Sequence, residues 1–180
     1  MEKSKIKSMK LYNNVGRIFN ELREIGKDKS KTLKVKDLIK FDQLHYCGTE
    51  AVDFAIKRMG INSKKSILEI GSGIGGPARY IGHKTKASIT ALELQIDQHK
   101  VAIDLTKKCK LLNIVKHIRG DILNYNWKNK KFDIVVSWLA LYHIKNHNKL
   151  LNNCFNLINK NGYFFVEDLI SEKLLSTKNL

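Results

Sequence analysis

Apolar residues recur along this chain in two rhythms: steps of three and four, which mark helices, and short continuous runs, which mark strands buried on both faces. Leu11, Val15, Ile18, Leu22 and Ile25 follow the first rhythm and predict an amphipathic helix ending near Gly26. The lysine-rich residues 27–31 read as a solvated connection. Ala51, Val52, Ala55, Ile56 and Met59 form a second helical face, with Gly48 or Thr49 as its cap and Gly60 as its stop. Five runs then read as strands, over 67–70, 87–93, 115–122, 132–138 and 163–168. Before the last of these, Leu150, Leu151, Cys154, Phe155 and Ile158 form a helical face and Asn161-Gly162 turns the chain. Strands alternating with helices predict an α/β fold around a parallel sheet.

The richest chemistry sits where the first of these strands ends, in Ile67-Leu68-Glu69-Ile70-Gly71-Ser72-Gly73-Ile74-Gly75-Gly76-Pro77-Ala78. Glycines must follow the strand because the chain turns sharply and a Cβ would keep the backbone away from a ligand. Pro77 suits the first turn of a helix, whose free N–H groups then face the crevice. Gly71, Gly73 and Gly76 also satisfy the G-x-G-x-x-G pattern of dinucleotide sites, so spacing by itself leaves the cofactor open. Glu69 shifts the balance, since a carboxylate there repels a pyrophosphate and holds an ammonium group. Glu93, at the end of the second strand, lies where Rossmann-type folds place the acid that bridges ribose hydroxyls.

The Glu-x-Gly-x-Gly-x-Gly arrangement of Glu69 to Gly75 resembles motif I of the class I S-adenosylmethionine (SAM) dependent methyltransferases. The resemblance extends through Glu93 and Leu94, then Gly120-Asp121-Ile122, then the strand ending in Ser137-Trp138, in the family's order. It implies a Rossmann-like sheet with helices on both faces and SAM as the cofactor. Glu69, Gly71, Ser72, Gly73 and Gly75 would then hold the methionine end. Glu93 and Leu94 would hold the ribose, Asp121 the adenine amino group and the Ile122 N–H a ring nitrogen. Ser137, Trp138 and Leu139 would face the transferring methyl group, with core packing the alternative for Trp138.

Residues 41–51, with Cys47-Gly48-Thr49-Glu50-Ala51 as a variant of a Gly-Gly-x-Glu-Ala turn, resemble the sarcosine/dimethylglycine and phosphoethanolamine N-methyltransferases. That branch implies a helical lid over residues 1–48 and a SAM-binding core over 49–180, with Gln43, His45 and Tyr46 near the cofactor. Leu141-Tyr142-His143-Ile144 resembles a segment whose histidine latches to a lid tyrosine, which points to His143 as catalytic and to Tyr46 or Tyr12 as its partner. For His45 and Tyr46 a packed loop is the other reading. The implied reaction is methyl transfer to a small-molecule amine.

Composition narrows the choices. The 180 residues suit one domain with a real core, and no apolar run is long enough to span a membrane. The basic amino terminus lacks the apolar region of a signal peptide, so the expectation is a cytoplasmic protein with no membrane insertion. Cys47, Cys109 and Cys154 are odd in number and widely spaced, so they read as reduced thiols; no metal is expected, although His143 and His147 have helical pair spacing. The formal charge of +16 suggests polyanions, but the lysines are scattered and not interleaved with aromatic residues. Pro77 is the only proline, so the Pro-containing motifs of amino-base and cytosine-C5 nucleic-acid methyltransferases are absent. Nucleic acid is therefore not the expected partner.

One departure from the family stands out. The family sheet has seven strands in the order 3-2-1-4-5-7-6, and this chain carries five, with the carboxyl-terminal hairpin missing. The fifth strand is then an unpaired edge available to a partner chain or a second copy. The alternative function is accordingly a SAM-binding remnant or subunit without independent catalysis, with RNA or protein methylation a more distant one.

Overall fold

Each apolar run does become a parallel strand, in the computed structural model that describes residues 15–170. The strands are β1 (Ser66–Ile70), β2 (Ser88–Glu93), β3 (Val115–Arg119), β4 (Phe132–Trp138) and β5 (Ile158–Glu167). They form one sheet in the order β3-β2-β1-β4-β5, every pair parallel. The order reverses between β1 and its two neighbours, so the carboxyl ends of β2, β1 and β4 open onto a crevice at the switch point.

Side chains on β1 alternate between the two faces of the sheet. Ile67 packs with Val52, Ala55 and Met59 of α3 (Gly48–Met59) and with Ala78 and Ile81 of α4 (Gly76–Thr85). Leu68 and Ile70 pack on the other face with Leu150, Cys154 and Leu157 of α6 (His147–Leu157). A third cluster joins Ile18 and Leu22 of α1 (Arg17–Glu24) to Leu38, Ile74 and Leu105 of α5 (Ile96–Lys108). Each fully buried aliphatic side chain contributes roughly 1.5–3 kcal/mol through removal from water. The third cluster therefore binds the amino-terminal segment to the core, and α2 (Ile39–Asp42) carries that segment to the crevice.

Several boundaries differ from the sequence expectation. Leu11 and Tyr12 lie outside the described residues, and Ile25, placed on the apolar face of the first helix, is half-exposed. No side chain caps α3: the preceding Cys47 adopts φ 55°, and the helix begins at Gly48 without a capping bond from Thr49. Gly60 stops α3 with φ 59°, as its position predicts. The third strand ends at Arg119, which leaves Asp121 and Ile122 in the following loop. The turn at Asn161-Gly162 does not precede β5 but lies inside it. Phe132 pairs with Ile158 and Ile134 with Tyr163, so the extra residues bulge out, with Asn161 at φ 64°. Cys154 is buried and Cys109 partly so, whereas Cys47 is exposed.

Candidate functional site

The crevice is walled by the carboxyl ends of β1, β2, β3 and β4 and roofed by the amino-terminal segment. Glu69, Gly71, Ser72 and Gly73 line it from β1 and the glycine loop, and Glu93, Leu94 and Gln98 from β2 and α5. Asp121 and Ile122 line it beyond β3; Trp138, Leu139 and Ala140 beyond β4; and Asp42, Leu44 and His45 above. His143 and Ile144 close the far side.

The loop's backbone explains its glycines. Gly71, at φ 70°, lies so close to Ala140 that a Cβ would collide with the Ala140 methyl group. Gly76 faces the Asp42 carbonyl oxygen in the same manner. The Gly71 and Ser72 N–H groups donate to the Leu92 carbonyl at 2.9 and 3.0 Å, which ties the loop to β2. Gly73 N–H donates to Glu93 Oε2 at 2.8 Å, and Gln95 N–H to Glu93 Oε1 at 2.7 Å.

Two carboxyl groups set the electrostatics. Glu69 is 2% exposed, and its Oε2 is buried with no hydrogen-bond partner among the described residues. Burial pushes this carboxyl up to about 8, Arg79 pulls against that rise, and Glu93 adds to it. Burial also raises Glu93, while N–H bonds from Gln95, Gly73 and Leu94 oppose it. Ser72 Oγ is a second buried atom of the same wall with no partner among the described residues. Unsatisfied buried polar groups are rare in folded proteins because each forfeits its hydration. A cationic, hydrogen-bonding ligand end beside Glu69 and Ser72 would satisfy both, so these residues fit the methionine part of SAM.

Other predicted residues occupy different places. Gly75, at φ 79°, shapes the loop but does not line the crevice. Ser137, expected at the cofactor, is fully buried and donates its hydroxyl to the Ile70 carbonyl at 3.0 Å, behind the crevice wall. Trp138 serves both readings, since it lines the crevice and is 5% exposed, with rings of His45 and Phe165 at 5.1 and 5.2 Å. Asp121 lines the crevice while its carboxylate accepts from Leu123 N–H at 2.8 Å and Asn124 Nδ2 at 2.9 Å.

Tyr46 is 58% exposed and is not among the lining residues; its neighbour His45 is. Gln43 belongs to the roof but does not line the crevice; it donates to Asp42 Oδ1 at 2.9 Å, and its Oε1 meets His45 Nε2 at 3.3 Å. His143 ends a 3₁₀ turn (Leu141–His143), and His147 begins α6, so the two histidines do not share a helix. Burial lowers the His143 pKa and Asp168 opposes that shift.

The largest surprise is Arg79. Its side chain is fully buried and donates to the Ile74 carbonyl at 2.6 Å, to Thr106 Oγ1 at 3.3 Å and to Asp42 Oδ2 at 3.0 Å. A basic residue in the second turn of a short helix reads as solvated, so no local pattern marks it. Thr106 Oγ1 also meets His117 Nε2 at 2.8 Å, and burial holds His117 down to about 3, hence neutral.

Residues 68–166 match the family model described as a methyltransferase domain. The sterol 24-C-methyltransferase ERG6A of Gibberella zeae is 28% identical over 123 residues, 68% of this chain and 32% of that protein. The phosphoethanolamine N-methyltransferase of Plasmodium falciparum is 26% identical over 67% of this chain and 45% of its own length. The chain thus spans about a third to a half of the length of these relatives. In structure, a Haemonchus contortus phosphoethanolamine N-methyltransferase 2 superposes with a TM-score of 0.69 at 20% identity, covering 90% of this chain and 38% of that one. With the family model spanning more than half of its length, the chain belongs to the class I S-adenosylmethionine-dependent methyltransferases, whose cofactor is S-adenosylmethionine.

Proposed function

We propose that this chain binds SAM in the crevice and directs its methyl group to the amine of a small-molecule acceptor. The buried, unpartnered Glu69 Oε2 carries the reading, because a cationic amino group at that atom removes the cost of leaving it unsatisfied. When bound, SAM supplies a sulfonium methyl group that is already electrophilic. Glu69 would hold the ammonium group, and Glu93, already oriented by the Gly73 and Gln95 N–H groups, would accept from the ribose. Asp121 and Ile122 would border the adenine, while Trp138, Leu139 and Ile144 exclude water from the transfer. In this assignment residues 49–180 are the core and residues 1–48 its cover, with 1–14 and 171–180 outside the described residues.

Direct displacement asks the protein mainly for orientation. Burial favours a neutral His143, which can accept the proton an amine sheds after methylation. The amine acceptor is supported by the crevice's two histidines, His45 and His143, and by likeness to a phosphoethanolamine N-methyltransferase.

The test is transfer of a labelled SAM methyl group to phosphoethanolamine, to sarcosine and to a sterol, beside SAM and NAD binding measured by calorimetry. Label in an amine, with SAM bound and NAD not, is the expected result. Label only in the sterol would overturn the acceptor class, and binding of NAD in place of SAM the cofactor. SAM binding without transfer would favour a second reading, a chain that needs a partner for catalysis. The half-exposed Tyr163 of β5 and the 65% exposed Phe155 of α6 offer such a partner an apolar flank.

A further inference from the structure

The roof of the crevice is a single strap, residues 42–46, and it is anchored at both ends by charged side chains that do not line the crevice. At its start, Asp42 and Arg79 form an ion pair at 3.0 Å with both side chains fully buried. Arg79 also grips the glycine loop through the Ile74 carbonyl and α5 through Thr106, so Asp42 is fixed relative to three elements at once. Asp42's carbonyl oxygen rests against Gly76, where any larger residue would displace it. At the far end, Glu167 of β5 accepts the Tyr46 N–H at 2.8 Å through Oε1 and meets His45 Nδ1 at 3.3 Å through Oε2. Glu167's backbone carbonyl accepts the Leu139 N–H at 2.7 Å, so one residue joins the roof to the β4 wall. Between these anchors, Leu44 and His45 line the crevice, and neither Arg79 nor Glu167 does.

We infer that Arg79 and Glu167 are positioning residues for SAM, clamping the 42–46 strap at its two ends so that the roof is already formed before the cofactor arrives. The inference rests on the crevice being the SAM site. A ligand that needs a formed roof binds in proportion to the fraction of molecules that have one, so releasing either clamp weakens binding without removing any contact. The two clamps differ in chemistry. The Arg79 clamp is dry and buried, whereas Glu167 keeps 18% side-chain exposure and is the more tolerant of change.

The experiment compares the full chain with Glu167→Ala and Glu167→Gln by hydrogen–deuterium exchange without cofactor and by SAM calorimetry. Glu167→Ala should speed exchange of the 43–47 amides and raise the SAM Kd by about tenfold, the scale of one lost charge-assisted hydrogen bond. Exchange in β1 and β4 should stay at the parent level. Glu167→Gln keeps an oxygen for the Tyr46 N–H and should restore most of both losses. Unchanged protection over 43–47 in Glu167→Ala, or a SAM Kd within twofold of the parent, overturns the inference.

For the buried clamp, Arg79→Met is combined with Asp42→Leu, because an apolar replacement of both partners preserves folding where a single change strands a buried charge. This pair should retain a cooperative melt yet lose protection over 39–46, and full protection there overturns the Arg79 assignment. It also serves if Glu167→Ala does not fold. If the parent chain does not bind SAM, the functional reading fails, and the exchange measurements still decide whether the strap is clamped.

Discussion

Glu93 holds Gly73 across the switch point: the Gly73 N–H donates to Glu93 Oε2 at 2.8 Å, joining the end of β2 to the glycine loop of β1. The same carboxylate takes the Gln95 N–H at 2.7 Å, so it orders the loop and the entry to α5 before any ligand is present.

Replacing Glu93 with alanine should therefore act twice. Loss of the two bonds should lower stability by roughly 1.5–3 kcal/mol, and SAM affinity should fall further because the ribose loses its acceptor. Glu93→Gln retains oxygen for one N–H and should recover part of the stability. Thermal melts with and without SAM separate the two effects, and an alanine variant with parental SAM affinity would remove Glu93 from the site.

Glu69 predicts an unusual pH dependence. Its folded pKa of about 8 lies above the ordinary 4.5, so between those values the folded chain binds more protons than the unfolded one. This contribution to stability is fully present below about pH 4.5 and is lost as pH rises toward 8. A bound ammonium group favours the carboxylate, so SAM affinity should rise with pH up to about 8, with proton release on binding below it. Calorimetry in buffers of different ionisation enthalpy reads that release directly. Glu69→Gln should abolish it.

Gly71→Ala should be severe for two reasons, the positive φ of 70° and the collision with the Ala140 methyl group. The conformational part costs about 1–2 kcal/mol. Adding Ala140→Gly relieves the collision and leaves the φ cost, so the double variant should melt above Gly71→Ala and below the parent. A melt equal to that of Gly71→Ala would show that contact with Ala140 is not what limits the loop.

His143→Asn should lower turnover by about 10²-fold or more if the imidazole accepts the acceptor's proton, with SAM affinity nearly unchanged. Because burial lowers its pKa, turnover in the parent should be flat near neutrality and fall only toward acid, where the ring protonates. A parental pH profile in His143→Asn would place proton acceptance elsewhere.

Ser137→Ala tests whether this side chain serves the core or the cofactor. Its hydroxyl bonds the Ile70 carbonyl inside the core, so the substitution should cost about 1 kcal/mol of stability and leave SAM affinity untouched. A tenfold loss of affinity would return Ser137 to the crevice.

The sequence by itself determined the sheet and the ligand edge, because both are written in short-range patterns. A strand buried on both faces needs a continuous apolar run, and a backbone turning under a ligand needs glycine; Ile67 to Gly76 satisfy both over ten residues. Glu69, Glu93 and Asp121 stand out in the sequence because they lie within, end and follow such runs. Tertiary structure alone decided which side chains meet across distance. Ser137 and Trp138 are adjacent on one strand, yet alternation sends the first into the core and the second to the crevice. Tyr46 faces outward while His45 turns inward, since Glu167, 122 residues beyond His45, fixes the strap between them. Arg79 and Asp42 carry no local signal, because what makes a buried charge tolerable is the partner that the fold brings to it from 37 residues away.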